Sequence, residues 1–408
     1  MDPVRRQYEA YPYPERDPAD EERRLIVGSP SEPAEIDHHL FAGRRDWSRP
    51  FRALVAGGGT GDGLVMLAQK LADAGVPAEI VWLDLSAAAR EIAEARMRVR
   101  GLSARFLIGD LATAPALAAE EGRFDYVDCC GVLHHLEDPE AGFRALAEAI
   151  RPEGGIGFMV YAPYGRSGVY ELQAGFGALF AEDPPEEKVR LAKAALGALP
   201  ESNRFRGNRL LSDHKASDAG LYDLLLHARD VPFDVPRLLA ALEGAGLGLA
   251  GWAEAARYDP APMLPGTPEF RERLAAMAPE ARWALAERLA GDLKMHVGYA
   301  APAGRAARAQ AGLTAEGVPR LNAVDGRALA RQVERRGALK VGFEGRSVTL
   351  EIPKRAAGAI ARLGTGRSFG EIAGAEGMDW FAFAQVFGPA FRALVSANLM
   401  RVSRGIAG

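Results

Sequence analysis

The chain has 408 residues, 48% hydrophobic and 25% charged, with a formal net charge of −4. That length exceeds what one core usually supports (roughly 250–300 residues), so two or three units are expected. The near-balance of charge removes the global positive field with which a nucleic-acid binder collects its partner, and no nucleic acid is expected.

Residues 1–50 are rich in Pro, Tyr and charge, with no leader pattern. No apolar run reaches membrane length anywhere, so a cytoplasmic chain without a membrane partner is expected. Tyr8, Tyr11 and Tyr13 alternate with Pro12 and Pro14, which favour extended backbone. The segment reads either as a surface tail or as a flap whose rings cover a neighbouring site. His38 and His39 fall in a predicted helix, where adjacent residues point apart, which argues against a paired metal site.

Phe51 to Ala56 read as a buried strand, and Gly57, Gly58, Gly59, Gly61 and Gly63 follow at once. A strand running into a glycine turn and then a helix is how an open α/β sheet holds a nucleotide-like ligand at its carboxyl edge. The helix ends at Gly75, and a second strand, Glu79 to Leu85, carries Asp84 near its tip. A helix capped by Ser86 and stopped by Gly101 leads to a third strand, ARFLIGDL, ending in Gly109–Asp110. The fourth strand, FDYVDCCGVLHHL, contains Cys129 and Cys130, which read as buried thiols with no disulfide or metal spacing. The helix DPEAGFRALAEAI and a fifth strand, IGFMVYAPYG, complete a βαβ series with a mainly parallel sheet.

Residues 165–235 leave this rhythm and are expected to cap the ligand edge; within them Arg204, Arg206 and Arg209 read as a solvated basic cluster. A helix and an edge strand follow, and FRERLAAMAPEARWALAERLAGDLKMHVGYA reads as two more helices. Residues 301–319, rich in small residues and breakers, read as a linker. Residues 320–408 read as a small α+β unit, a hairpin followed by helices, resembling a winged helix but without a dense basic face.

Asp84 at the second strand tip can accept hydrogen bonds from both ribose hydroxyls, and Asp110 can accept from an adenine amino group with Leu111 packed on the ring. A dinucleotide would use the same acids, so the residues alone leave the ligand open. The distribution of LVAGGGTGDG, VWLDLS, IGDL, GVLHHLEDP and AIRPEGGIGFMV resembles the class I S-adenosylmethionine-dependent methyltransferases over roughly residues 50–162.

That resemblance implies a Rossmann-like α/β sheet spanning 51–300 with a helical cap insertion, and S-adenosyl-L-methionine as cofactor. It places Gly57, Gly59, Gly61, Asp62, Asp84, Leu85, Asp110, Leu111 and Gly131 at the donor. It also marks a departure: Ala56 stands where many members carry an acid that meets the donor's amino group, and Asp62 or backbone carbonyls are the replacements it suggests. The catalytic residue is left unassigned, with His134, His135, Tyr11, Tyr13 and His214 as candidates. Tyr161, Tyr164, Tyr170, Tyr222 and His227 are further candidates for the acceptor's walls. The acceptor itself is a protein, a peptide or a small molecule, and a homodimer is one use for the C-terminal unit. A non-catalytic donor-binding protein and, further off, a nicotinamide dehydrogenase are the rival readings.

Overall fold

The computed structural model describes residues 3–406. Its centre is a seven-stranded sheet in the order β3-β2-β1-β4-β5-β7-β6. The strands are β1 (Phe51–Ala56), β2 (Ala78–Asp84), β3 (Arg105–Ile108), β4 (Phe124–Cys130), β5 (Ile150–Tyr161), β6 (Leu247–Trp252) and β7 (Met295–Pro302). The first five pair in parallel, while β7 runs antiparallel to both β5 and β6.

Helices cover both faces, which is why all six residues of β1 are buried and apolar but for Arg52. One face packs on α5 (Ala114–Glu121), α6 (Pro139–Ala149) and α12 (Val235–Gly244) through Phe124, Phe143, Phe158 and Phe233. The other packs on α2 (Pro33–Leu40), α3 (Asp62–Asp73), α4 (Ala87–Val99) and α15 (Ala303–Ala309) through Phe51, Trp82, Tyr126 and Tyr299. An amino-terminal helix, α1 (Pro3–Ala10), lies outside this layer. The order reverses between β1 and β4, and a crevice opens there at the carboxyl ends of the strands.

The excursion after β5 folds as α7 (Val169–Leu179), α8 (Pro185–Ala198), α9 (Arg204–Gly207), α10 (Asp213–Ala216) and α11 (Asp218–Leu225), around its own cluster of Phe176, Phe180, Phe205 and Leu221. Helices α13 (Pro268–Ala276) and α14 (Pro279–Ala290) follow, but the end of that stretch is strand β7, not helix. Residues 295–302 mix His, Gly and Tyr without a helical stripe, and they serve as a strand because β5 and β6 flank them.

Residues 303–309 likewise form a helix whose Ala306 and Ala309 are buried against the sheet, so this part of the expected 301–319 linker belongs to the main core. Beyond it, β8 (Pro319–Leu321) pairs with β11 (Met400–Val402). Between them lie α16 (Gly326–Arg336), the hairpin β9 (Ala338–Phe343) and β10 (Arg346–Glu351), α17 (Ala357–Ala361), α18 (Phe369–Ala375) and α19 (Trp380–Ser396). Phe369, Phe383 and Phe387 centre this unit's core.

The unit is tied to the amino-terminal half by buried polar bonds. Arg401 pairs with Glu32 at 2.5 Å and with Glu35, Ser403 Oγ donates to Asp37 at 2.6 Å, and the Val402 amide donates to His38 Nδ1 at 3.1 Å. Among the described residues no helix is long and apolar enough to cross a membrane.

Candidate donor and acceptor site

The glycine turn is dictated by what surrounds it. The Gly57 amide donates to Leu83 O at 2.7 Å, which draws the turn against the tip of β2. A Cβ on Gly57 would lie 2.2 Å from a methyl of Val132, and one on Gly58 would lie 2.2 Å from the indole of Trp82. Gly57 and Gly61 also take positive φ, 68° and 98°, and Gly61 then caps α3.

Asp84 is held rigidly beneath this turn. Its Oδ2 accepts the Gly59 amide at 2.8 Å and its Oδ1 the Ser86 amide at 2.9 Å. Burial raises its pKa, an effect opposed by those amides. Asp110 caps the next turn through the Ala112 amide at 2.8 Å and stays exposed, while Leu111 beside it is buried. Asp62 is not free. It pairs with Arg16 at 2.6 Å and with Arg96 at 2.7 Å, and although burial pushes its carboxyl up, the two guanidiniums hold it below the usual range.

The amino-terminal segment closes over this turn. Pro14 O accepts the Thr60 hydroxyl at 2.7 Å, Arg16 grips Asp62, and Glu9 accepts the Ala87 amide at the start of α4 at 2.8 Å. Tyr8 reaches across to the cap, donating to Asp223 Oδ1 at 3.2 Å. Beneath the segment is a cavity of about 630 Å³, bordered by Gly57–Gly59, Asp84, Leu85, Asp110, Leu111 and Gly131 at one end and by Tyr13, His135, Tyr161 and Asp223 at the other. That volume lies within the range of small-molecule sites, roughly 300–1,000 Å³. A second concavity of about 720 Å³ opens at the opposite edge of the sheet among Arg45, Arg52 and Arg151. Its charges pair with Asp125, Glu79 and Glu121, and it lies at the amino ends of β1, β2, β4 and β5, away from their carboxyl tips.

At the far end of the main cavity the hydrogen bonds fix the histidine tautomers. His135 Nδ1 lies 2.8 Å from Arg229 O, a carbonyl that only accepts, so Nδ1 carries the proton and Nε2 the lone pair. His227 is the reverse: its Nδ1 accepts the Arg229 amide at 3.0 Å, leaving Nε2–H to meet the Tyr8 oxygen at 3.2 Å. His134 Nδ1 accepts the Tyr161 amide at 3.3 Å, and burial holds the pKa of His134 and of His227 well below the usual value.

Asp223 accepts from both Tyr8 and Tyr161, the latter at 3.1 Å, and burial raises its pKa against the pull of His135 and Arg166. His135, Asp223 and His227 lie close enough to hold a metal ion, but His227 has no lone pair to give while its Nδ1 serves the Arg229 amide. The cluster fits a proton acceptor, His135 Nε2, better than a metal.

Of the sequence candidates, Tyr13 and His135 border the cavity, as does Cys130, whereas Cys129 alone is the buried thiol. His134 is fully buried behind Tyr161. Tyr11 stacks on Tyr222 with ring centres 5.2 Å apart, and His214 packs on Phe205, both away from the cavity lining. Tyr164 meets Arg288 and Tyr170 meets Arg166, while Arg204, Arg206 and Arg209 are solvent-exposed. Sequence reading reached Tyr8 only as part of the flap alternative and passed over Arg16, Asp128 and Asp223. The repeated tyrosines were the signal for Tyr8; a lone Asp inside a helix gives none.

A methyltransferase-domain family profile matches residues 54–156. An uncharacterized protein of Synechococcus sp. is 30% identical over 244 residues, 58% of this chain and 57% of that protein. The ubiquinone biosynthesis O-methyltransferase of Ralstonia nicotianae is 32% identical over 126 residues, 30% of this chain and 50% of its own. The chain therefore spans 57% and 50% of these curated relatives. Among solved structures, PKMT2 from Rickettsia typhi in complex with AdoHcy superposes with a TM-score of 0.62 over 92% of this chain and 76% of that one. At 12% identity the likeness is one of fold.

Proposed function

We propose that the chain, which matches a methyltransferase-domain profile over residues 54–156, is a class I S-adenosylmethionine-dependent methyltransferase that transfers a methyl group to an acceptor entering beneath the cap. The observation that carries this reading is the cavity itself, which runs unbroken from the Asp84–Leu111 end to the His135–Asp223 end.

The residues present fit the donor. Asp84 is pre-aimed by two amides to receive ribose hydroxyls, Leu111 offers an apolar face for adenine beside Asp110, and Gly57 and Gly59 let the backbone approach. When bound, S-adenosylmethionine supplies an electrophilic methyl carbon; the acceptor's lone pair forms the new bond to it as the carbon–sulfur pair returns to sulfur.

The protein's part is alignment, exclusion of water and disposal of a proton. Tyr8 and Tyr13 shield the cavity, and Tyr161 and Tyr8 fix the Asp223 carboxylate. His135 Nε2, its lone pair set by the Nδ1–H to Arg229 bond, receives the acceptor's proton beside the Asp223 carboxylate. An acceptor that carries a proton on its attacking nitrogen or oxygen suits this arrangement, whether on a protein, a peptide or a small molecule.

Calorimetry with S-adenosylhomocysteine and, separately, NAD⁺ tests the donor. Saturable heat with the first and none with the second is expected, and no heat with S-adenosylhomocysteine would refute the reading. His135→Gln should leave that affinity within about twofold, because the imidazole faces the acceptor end.

A further inference from the structure

We propose that Asp128 on β4, backed by Ser31, binds the donor's α-ammonium group and replaces the acid that strand β1 lacks. The assignment rests on the methyl-donor reading above. Strand β1 ends in Val55–Ala56, so no carboxylate stands at its tip. Asp62, the nearest alternative in sequence, is held by Arg16 and Arg96.

Asp128 is adjacent to Val55 in the parallel register of β1 and β4, and neighbours in such a ladder face the same side of the sheet. It therefore lies one strand over from Val55, next to the β1 tip that lacks an acid, and it borders the donor cavity. The first turn of α3 leaves room for it: a Cβ on Gly63 would lie 3.0 Å from Asp128 Oδ2 and 2.8 Å from Ser31 Oγ.

Asp128 is 1% exposed, and its hydrogen-bond donor is the Ser31 hydroxyl. The groups around it are Ser31 ahead of α2, Tyr126 and Cys130 on its own strand, Gly63 on α3 and Gly157 on β5. The charged pair Arg16–Asp62 also borders the cavity, but Arg16 gives its forked donors to Asp62. Burial, with no cation to oppose it, pushes the Asp128 carboxyl up to about 7. A buried carboxylate without a cationic partner is costly, and an ammonium ligand offsets that cost.

Ser31 is itself fixed. Pro30 O accepts hydroxyls from Tyr126 and Tyr299, each at 2.8 Å, so the Ser29–Ser31 turn is pinned to the sheet. The hydroxyl thus orients Asp128 from behind and leaves the carboxylate free to meet a cation from the cavity side.

Two probes separate this assignment from the donor reading. S-Adenosylhomocysteine carries the amino-acid end, and 5′-methylthioadenosine keeps the adenosine and thioether without it. Calorimetry on the full chain should show Asp128→Asn weakening S-adenosylhomocysteine at least tenfold while 5′-methylthioadenosine changes by less than twofold. In the unaltered protein, the affinity ratio of the two probes should fall about fivefold between pH 7 and pH 6, because the ammonium needs the ionised carboxylate. This arm needs no variant and so is independent of folding.

Ser31→Ala should weaken S-adenosylhomocysteine alone, by several-fold. Equal loss for both probes in Asp128→Asn, or a pH-independent ratio in the unaltered protein, would overturn the assignment. Binding of neither probe by the unaltered protein would instead overturn the donor reading on which it rests.

Discussion

Arg401→Ala should loosen the C-terminal unit from the amino-terminal half at a measurable cost. The Arg401 side chain is 7% exposed, and its partners Glu32 and Glu35 are 8% and 0% exposed. Its Nε also donates to Asn398 Oδ1 at 3.0 Å. Removing the guanidinium strands two carboxylates in a site closed to water. Breaking a buried pair in this way costs about 3–5 kcal/mol, against a total stability of roughly 5–15 kcal/mol for a folded protein.

The loss should appear in urea unfolding as a lower midpoint, followed by far-ultraviolet circular dichroism. Adding Glu32→Gln and Glu35→Gln to Arg401→Leu should recover most of the stability. A single Arg401→Ala variant within 1 kcal/mol of the parent at pH 8 would refute the reasoning.

Asp84→Ala should weaken S-adenosylhomocysteine by about 1.5–3 kcal/mol in calorimetry, since it removes charge-assisted bonds to the ribose; unchanged affinity would discard the ribose assignment. Gly58→Ala places a methyl 2.2 Å from fully buried Trp82 and should cost about 1–3 kcal/mol in urea unfolding. Parental stability would show that the indole can move. Arg16→Met breaks the 2.6 Å clasp on Asp62, a pair about 28% exposed, and should raise the off-rate of S-adenosylhomocysteine severalfold in stopped flow, matching about 1 kcal/mol. For Asp128, a folded pKa of about 7, well above the ordinary carboxyl value, means its stabilising contribution is complete below pH 4 and lost as pH rises through 7. Thermal denaturation should show Asp128→Asn with a flatter profile over that window, by up to about 1.4 kcal/mol per pH unit.

The sheet was readable because each signal is local. Strand β1, the glycine turn and the Ser86 cap of α4 announce themselves within a dozen residues, and Ser86 Oγ does accept the Ala89 amide at 3.1 Å. Strand β7 was not readable. Its neighbours β5 and β6 are far away in sequence, and its pattern of burial has meaning only between them.

The site divides in the same way. Asp84 and Asp110 follow from their positions at strand ends, whereas Asp223 becomes part of the cavity because Tyr8, 215 residues away, bonds to it. Residues 303–309 misled for a different reason. Small residues suggest a flexible tether, yet here alanines permit close packing of a short helix on β6.

The amino-terminal segment forms the roof of the main cavity, with Tyr8 fastened to the cap and Arg16 to the glycine turn. On the methyl-donor reading, a spent nucleoside thioether below leaves past both fastenings, so loosening either is expected to speed its release. Because the latch joins both reactant ends, seating the acceptor and retaining the nucleoside are one mechanical event.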